Sequence, residues 1–276
     1  MASRLEQVPV LVVMIGATGV SMLVPSVQGF VLQQAPVGRA FLYAALVLIL
    51  LSALLAIATS RPLKRNPVRG LFPLLAAIYL ALPALMAVPL VEVLGISFFH
   101  AWFEMVSSFT TTGATLYETP GRLPASVHLW RALVGWLGGL FVLVTAAAVL
   151  APLNLGGYEV LRPGGLGRGG LQGAGRGGRG IETGARILAD LRLLAPGYAL
   201  FTLALWVGLR TAGDPGLVAL SHAMSTISTS GISPGAGQGV KAAASGLWGE
   251  ALIFVGLCLA LTRRRLPGAA HAERHK

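Results

Sequence analysis

Charge is scarce in this 276-residue chain. Asp, Glu, Lys and Arg together make up 11% of it, against about 25% in an average soluble domain. Hydrophobic residues make up 55%, more apolar surface than a soluble fold of this size hides. Disorder is excluded on the same ground, because it needs low hydrophobicity and high net charge. Cysteine is all but missing: Cys258 stands alone, which rules out an intrachain disulfide framework and a cysteine-rich zinc site. The five histidines are scattered, with no Ser/His/Asp or metal-ligand spacing, and the G-x-x-x-x-G-K-[ST] loop of an ATPase is missing. Neither enzyme activity nor a cofactor is expected. What the chain does have is long hydrophobic runs, and these define an all-α integral membrane protein.

A helix needs about 20 apolar residues to cross the hydrocarbon core. Val8–Val27, Ala40–Ser60, Leu71–Val91 and Ala132–Ala151 meet that length without a charge, Leu193–Leu209 is shorter and charge-free, and Ala242–Thr262 carries only Glu250. About six transmembrane helices are expected. The first, preceded by Arg4, has the look of a signal peptide, but its run is longer than a usual h-region and no A-x-A site follows; it is read as a retained helix. With the N-terminus in the cytoplasm, sixteen of the 21 basic residues fall inside: Arg4, the Arg61–Arg69 loop, the Arg162–Arg192 stretch and the C-terminal tail. Arg39, Arg122, Arg131, Arg210 and Lys241 lie outside or at the outer boundary. By the positive-inside rule both termini are then cytoplasmic, and the net charge of +11 reflects topology rather than nucleic-acid binding.

Two stretches resist a simple span. Val93–Phe109 is apolar and leads into Thr110-Thr111-Thr112-Gly113-Ala114-Thr115; Leu217–Ile227 leads into Ser228-Thr229-Ser230-Gly231-Ile232-Ser233. Val91 to Gly113 and Leu209 to Gly231 are both 22 residues, and the two glycines lie 118 apart. The chain therefore repeats a unit of helix, half-helix, polar loop, helix, an internal symmetry typical of transport proteins. Irregular backbone at membrane depth is tolerated only where protein buries it or where it lines a wet cavity. Glycine permits the turn that aims successive carbonyls at one axis, and carbonyls can replace the water shell of a potassium ion. The half-helix ahead of each loop points its negative end at the same place. Seen once, such a Ser/Thr/Gly tract reads as a turn; twice at matched spacing it reads as a pair of re-entrant filter loops.

These residues resemble the TrkH-type potassium-uptake subunits of the Trk/Ktr/HKT superfamily. Ser97-Phe98-Phe99-His100-Ala101-Trp102-Phe103-Glu104 through Ser108–Thr115 looks like the first pore loop. Arg131 through Trp136-Leu137-Gly138-Gly139 is similar to the start of the following helix, and His222–Ser233 resembles the second pore loop. The resemblance implies an N-terminal pair of transmembrane helices (1–70), pore repeat one (71–151), a Gly/Arg-rich cytosolic linker (152–192), pore repeat two (193–262) and a basic cytosolic tail (263–276). It assigns ion-binding backbone carbonyls to Thr111, Thr112, Gly113, Thr229, Ser230 and Gly231, with potassium as substrate. It implies residence in the bacterial inner membrane and a cytosolic nucleotide-binding ring partner of the TrkA or KtrA type. Family members carry four repeats, and this sequence holds two. Either the chain is a fragment or a truncated, half-size relative missing the C-terminal half, or two copies pair as a homodimer to complete the ring. A non-conducting remnant or assembly subunit of a transporter complex is the alternative.

Filter support is expected from Glu104, Thr110 and Arg131. Glu104 sits within about two turns of the first loop, where it either hydrogen-bonds loop amides or concentrates cations at the outer vestibule. Arg131 pairs with Glu104 or Glu118, or snorkels to the interface. His100 and His222 read as interface histidines opening the two half-helices in like positions. Gly156–Gly184 holds 13 glycines in 29 residues and matches G-x-G-x-x-G at Gly165/Gly167/Gly170 and Gly173/Gly175/Gly178. No strand precedes and no helix follows, so it reads as a flexible linker touching anionic lipid rather than a nucleotide site.

Overall fold

The structure, a computed structural model, describes residues 9–59, 71–147, 179–237 and 240–261. They form eight α-helices: α1 (Val10–Val31), α2 (Ala35–Ala58), α3 (Leu71–Leu94), α4 (Phe98–Phe109), α5 (Ala125–Thr145), α6 (Arg179–Thr211), α7 (Gly216–Ser228) and α8 (Gly246–Leu261). Among the described residues no strand forms, apart from an isolated bridge between Gly237 and Val240. The chain is a multi-pass, all-α membrane protein.

Among the described residues, five helices are long and apolar enough to span the bilayer, against the six expected. Of the sixth, α8, 16 residues are described, up to Leu261. Three helices also begin well ahead of their apolar runs, α2 by five residues, at Ala35. α5 starts at Ala125, seven residues ahead of Ala132, because His128 and Arg131 find partners inside the protein. α6 is helical from Arg179 and 33 residues long, so its first turns occupy the end of the stretch expected to be linker. Helical hydrogen bonds are satisfied within the segment, so polar residues such as Asp190 and Arg192 do not stop them. The remaining linker and the basic tail lie outside the described residues, as do the two G-x-G-x-x-G matches.

α1 and α2 form a hairpin joined through Gln33, and α3 packs beside them. Their shared core includes Ile15, Met22, Phe41, Met86, Met105, Phe109, Trp130 and Phe141. Side-chain donors fasten the later helices to α3: Trp130 Nε1 donates to the Met86 carbonyl at 3.1 Å and Trp102 Nε1 to the Leu80 carbonyl at 3.0 Å. The outward face of α2 presents Tyr43, Leu46, Val47, Leu50, Leu54 and Ile57 to the surroundings. A continuous apolar exterior suits lipid, where backbone polar groups must be satisfied inside each helix.

Half-helices α4 and α7 follow α3 and α6 respectively. Each is preceded by a glycine with positive φ, Gly95 at 63° and Gly213 at 113°, again 118 residues apart. Ser97 caps α4, its hydroxyl accepting from the His100 amide at 3.3 Å. The structural repeat is therefore helix, tight turn, half-helix, loop, helix.

Candidate functional site: two paired re-entrant loops

The loops leaving α4 and α7 have one backbone geometry. Thr111 and Thr229 are left-handed, with φ of 56° and 55°, and Gly113 and Gly231 follow at 74° and 65°. A β-branched residue with positive φ is an outlier, costing about 1–3 kcal/mol, and such strain gathers at functional sites. Here it occurs at corresponding places in both repeats. The amides turn back onto their own half-helices: Thr112 N donates to Ser107 O and Ser230 N to Ser225 O, both at 2.9 Å. Among the described residues, no hydrogen bond is donated to the carbonyls of Thr111, Thr112, Gly113, Thr229, Ser230 or Gly231. Six uncommitted main-chain oxygens thus sit in two matching loops.

The loops also touch. A Cβ on Gly113 would collide with the carbonyl oxygen of Ser230, so only glycine lets the first loop approach the second this closely. Beyond the filter tracts the chains stay together, with Gly235 against Pro120 and Gly121 against the Ala236 carbonyl.

Helix α5 braces both. Cβ atoms on Gly138 and Gly139 would run into the Phe109 carbonyl, at the end of α4, and into Ser228, at the end of α7. The Trp-Leu-Gly-Gly segment is therefore a flat seat on which the two half-helix ends rest. Tyr198 from α6 joins there, donating to the Trp136 carbonyl at 3.1 Å, while Trp136 Nε1 donates to Thr202 at 2.9 Å. Sequence reasoning passed over Tyr198 and Thr202 as polar residues of an apolar helix, and took Trp136 only as part of the Trp-Leu-Gly-Gly motif; nothing in the spacing of the first two distinguishes them from lipid-facing residues.

Repeat one is held by charge. Glu104 is fully buried, and its Oε1 accepts from Thr115 Oγ1 at 2.8 Å and from Leu116 N at 2.5 Å. Its Oε2 lies 3.1 Å from Arg131, which is buried, not at the interface. The Arg131 guanidinium also covers the Tyr117 ring, 5.3 Å from its centroid, with His100 stacked on Tyr117. Thr110 Oγ1 donates to Val106 O at 2.8 Å and lies 2.8 Å from Thr112 Oγ1. Ser107 Oγ holds the Ala114 carbonyl at 2.7 Å.

Repeat two is held differently. His222 Nε2 lies 2.9 Å from Ser233 Oγ, and its Nδ1 is 3.9 Å from Asp214. Asp214 Oδ1 accepts from the amides of Ala244 and Ser245 at 2.8 and 2.9 Å, and Arg210 donates to the Asp214 carbonyl. Asp214 lies in the turn between α6 and α7; burial opposes its charge, yet those amide bonds bring the carboxyl below its ordinary value. The two histidines do not occupy like positions. His100 sits in the first turn of α4, whereas His222 lies 118 residues after Glu104, and Ser233 lies 118 after Thr115. Sliding one repeat over the other would have revealed that correspondence; reading the histidines by type alone concealed it.

The fold and the touching loops define a class: a multi-pass helical membrane protein built around two paired units of half-helix and loop. Within that class the chain resembles the Trk potassium-uptake proteins. It is 34% identical over 143 residues to the Trk system potassium uptake protein TrkG of Escherichia coli K12 and 33% identical over 136 residues to TrkH of Salmonella typhimurium. These alignments take in 51% and 48% of this chain, and 27% and 26% of the relatives. The crystal structure of the potassium transporter TrkH from Vibrio parahaemolyticus has the same fold, with a TM-score of 0.70 at 23% identity, covering 94% of this chain and 50% of that one. The chain thus spans half of the solved relative and aligns with about a quarter of the curated ones. No protein-family model matches it.

Proposed function

We propose that this chain takes part in potassium, or more broadly monovalent-cation, transport across the bacterial inner membrane, as a half-size subunit of the Trk type. The observation that carries the reading is the contact between two loops of like geometry whose carbonyls at Thr111, Thr112, Gly113, Thr229, Ser230 and Gly231 accept no hydrogen bond among the described residues. Uncommitted main-chain oxygens can take the place of an alkali ion's water shell, and an oxygen set without carboxylates suits a monovalent ion better than a divalent one. Glu104, Thr110 and Arg131 support the first loop rather than meet the ion. The likeness to TrkG and TrkH, named for potassium uptake, supports the same substrate.

Two loops make half of a fourfold ring. Further repeats of the same polypeptide, a second copy of this chain or another subunit supply the other two, and a TrkA- or KtrA-like cytosolic ring regulates the assembly. Both termini face the cytoplasm in this arrangement, a reading supported by the distribution of basic residues.

Expression of the chain in a potassium-uptake-deficient bacterium at low potassium tests the reading. Restored growth, lost again in Gly113→Ser, is the expected result. No growth despite good membrane insertion, both alone and beside a TrkA-like ring, overturns it in favour of a non-conducting assembly subunit. The mass of the detergent-solubilised protein then distinguishes a dimer, with four loops, from a monomer with two.

A further inference from the structure

The offset of 118 residues that superposes the filter glycines also superposes their supports. Glu104 and His222 sit at the same step of the two half-helices, and their partners Thr115 and Ser233 each lie two residues past a filter glycine. We propose that His222 is the positioning residue of the second loop, setting the path of the chain beyond Gly231 and through it the choice of alkali cation.

The surroundings explain why this grip is a histidine. In repeat one the carboxylate of Glu104 is neutralised by Arg131. The residue 118 further on from Arg131 is Gly249, which carries no charge. Asp214, fully buried, already stands 3.9 Å from the ring of His222. A glutamate at 222 would face that carboxylate without a guanidinium, an arrangement that like-charge repulsion and desolvation both oppose. An imidazole reaches the same hydroxyl without adding negative charge, because its ring nitrogen donates or accepts according to tautomer. Loop two gains from this: Ile232, between Gly231 and Ser233, is buried against Leu129, Ala132 and Met224, so the clamp on Ser233 also seats the loop on α5.

The inference rests on the transport reading for its effect on ion choice, and the experiment separates the two. His222→Leu removes the hydrogen bond, His222→Gln keeps one, and His222→Glu adds the unpaired charge. In the full-length chain with Cys258→Ser, a cysteine at Ile232 reports whether loop two is seated, and one at buried Met105 reports on repeat one; Met224→Cys is the substitute reporter beside Ile232. Expected is about a tenfold faster reaction of the Ile232 cysteine with a small thiol reagent in His222→Leu and in His222→Glu, the change that one lost hydrogen bond produces. Protection is retained in His222→Gln, and the rate at Met105→Cys is unchanged. In cells, potassium-over-sodium discrimination falls in His222→Leu and is restored in His222→Gln. Equal protection in all variants, failure of glutamine to rescue, or a parallel rise at Met105→Cys overturns the positioning role. Absence of cation flux in the unsubstituted chain overturns the transport reading, and the thiol rates still decide the clamp.

Discussion

Repeat one and repeat two share a backbone but not a means of holding it. In the first, a buried Glu104–Arg131 ion pair, roofed by Tyr117, grips the chain beyond Gly113. In the second, His222 grips Ser233, and the buried carboxylate is Asp214, eight residues earlier in the turn before α7, where it binds the amides leading into α8. The packing differs as well. Most of the α5 span is buried, while only a small share of the α6 span is. Loop geometry is thus set by what both repeats keep: a left-handed threonine, a left-handed glycine, and amides folded back onto the half-helix. The clamping chemistry is free to vary provided that a hydroxyl two residues past the glycine has a partner.

The sharpest test of that contrast is charge removal in the buried repeat. Arg131→Leu leaves Glu104 charged and alone at full burial, and a loss of about 3–5 kcal/mol is expected, read as a collapse of thermal stability in detergent. Combining it with Glu104→Leu recovers part of that loss, since the uncompensated charge disappears. If Arg131→Leu behaves like an exposed substitution, repeat one is not held by charge and the comparison fails.

A smaller effect tests the seat that both repeats share. Gly138→Ala drives a methyl group into the Phe109 carbonyl, and overpacking of this kind costs about 1–3 kcal/mol. Gly139→Ala meets Ser228 instead, so unfolding midpoints should fall in both variants, with thiol reporters showing disturbance in loop one for the first and loop two for the second.

Backbone strain offers a symmetrical check. Thr111→Gly and Thr229→Gly each relieve a left-handed threonine, and each should raise stability by about 1 kcal/mol while weakening discrimination between alkali cations. Unequal responses would mean that the two loops are not equivalent in strain. The smallest expected change lies in the open repeat: Gly197→Ala on α6, where an added Cβ meets nothing within 4 Å, should stabilise by about 0.4–1 kcal/mol. That gain contrasts with the loss at Gly138, and the pair measures how tightly α5 is packed relative to α6.

Much of this was legible in the residues. Apolar runs without charge marked the spans, because length and hydrophobicity alone decide whether a helix can cross a bilayer. Two Ser/Thr/Gly tracts at equal spacing marked the loops. The ends of α5 and α6 were not legible. Polar residues extend a helix as readily as apolar ones once its backbone bonds form, and His128 and Arg131 look like boundary residues until their partners, the Pro120 carbonyl and Glu104, are in place. α8 read as a span by composition, and 16 residues of it lie within the described helix.

The amino-acid order by itself determined the class of the protein, its internal repeat and the location of the two glycine bends, since hydropathy and spacing are properties of the chain. Only the tertiary structure decided that the bends touch, that Gly138 and Gly139 form the seat beneath them, and that Glu104 and His222 each contact the hydroxyl two residues past a loop glycine. Those facts depend on residues far apart in sequence coming within a few ångströms, and the contacts that bring them together are made by packing, which no local pattern encodes.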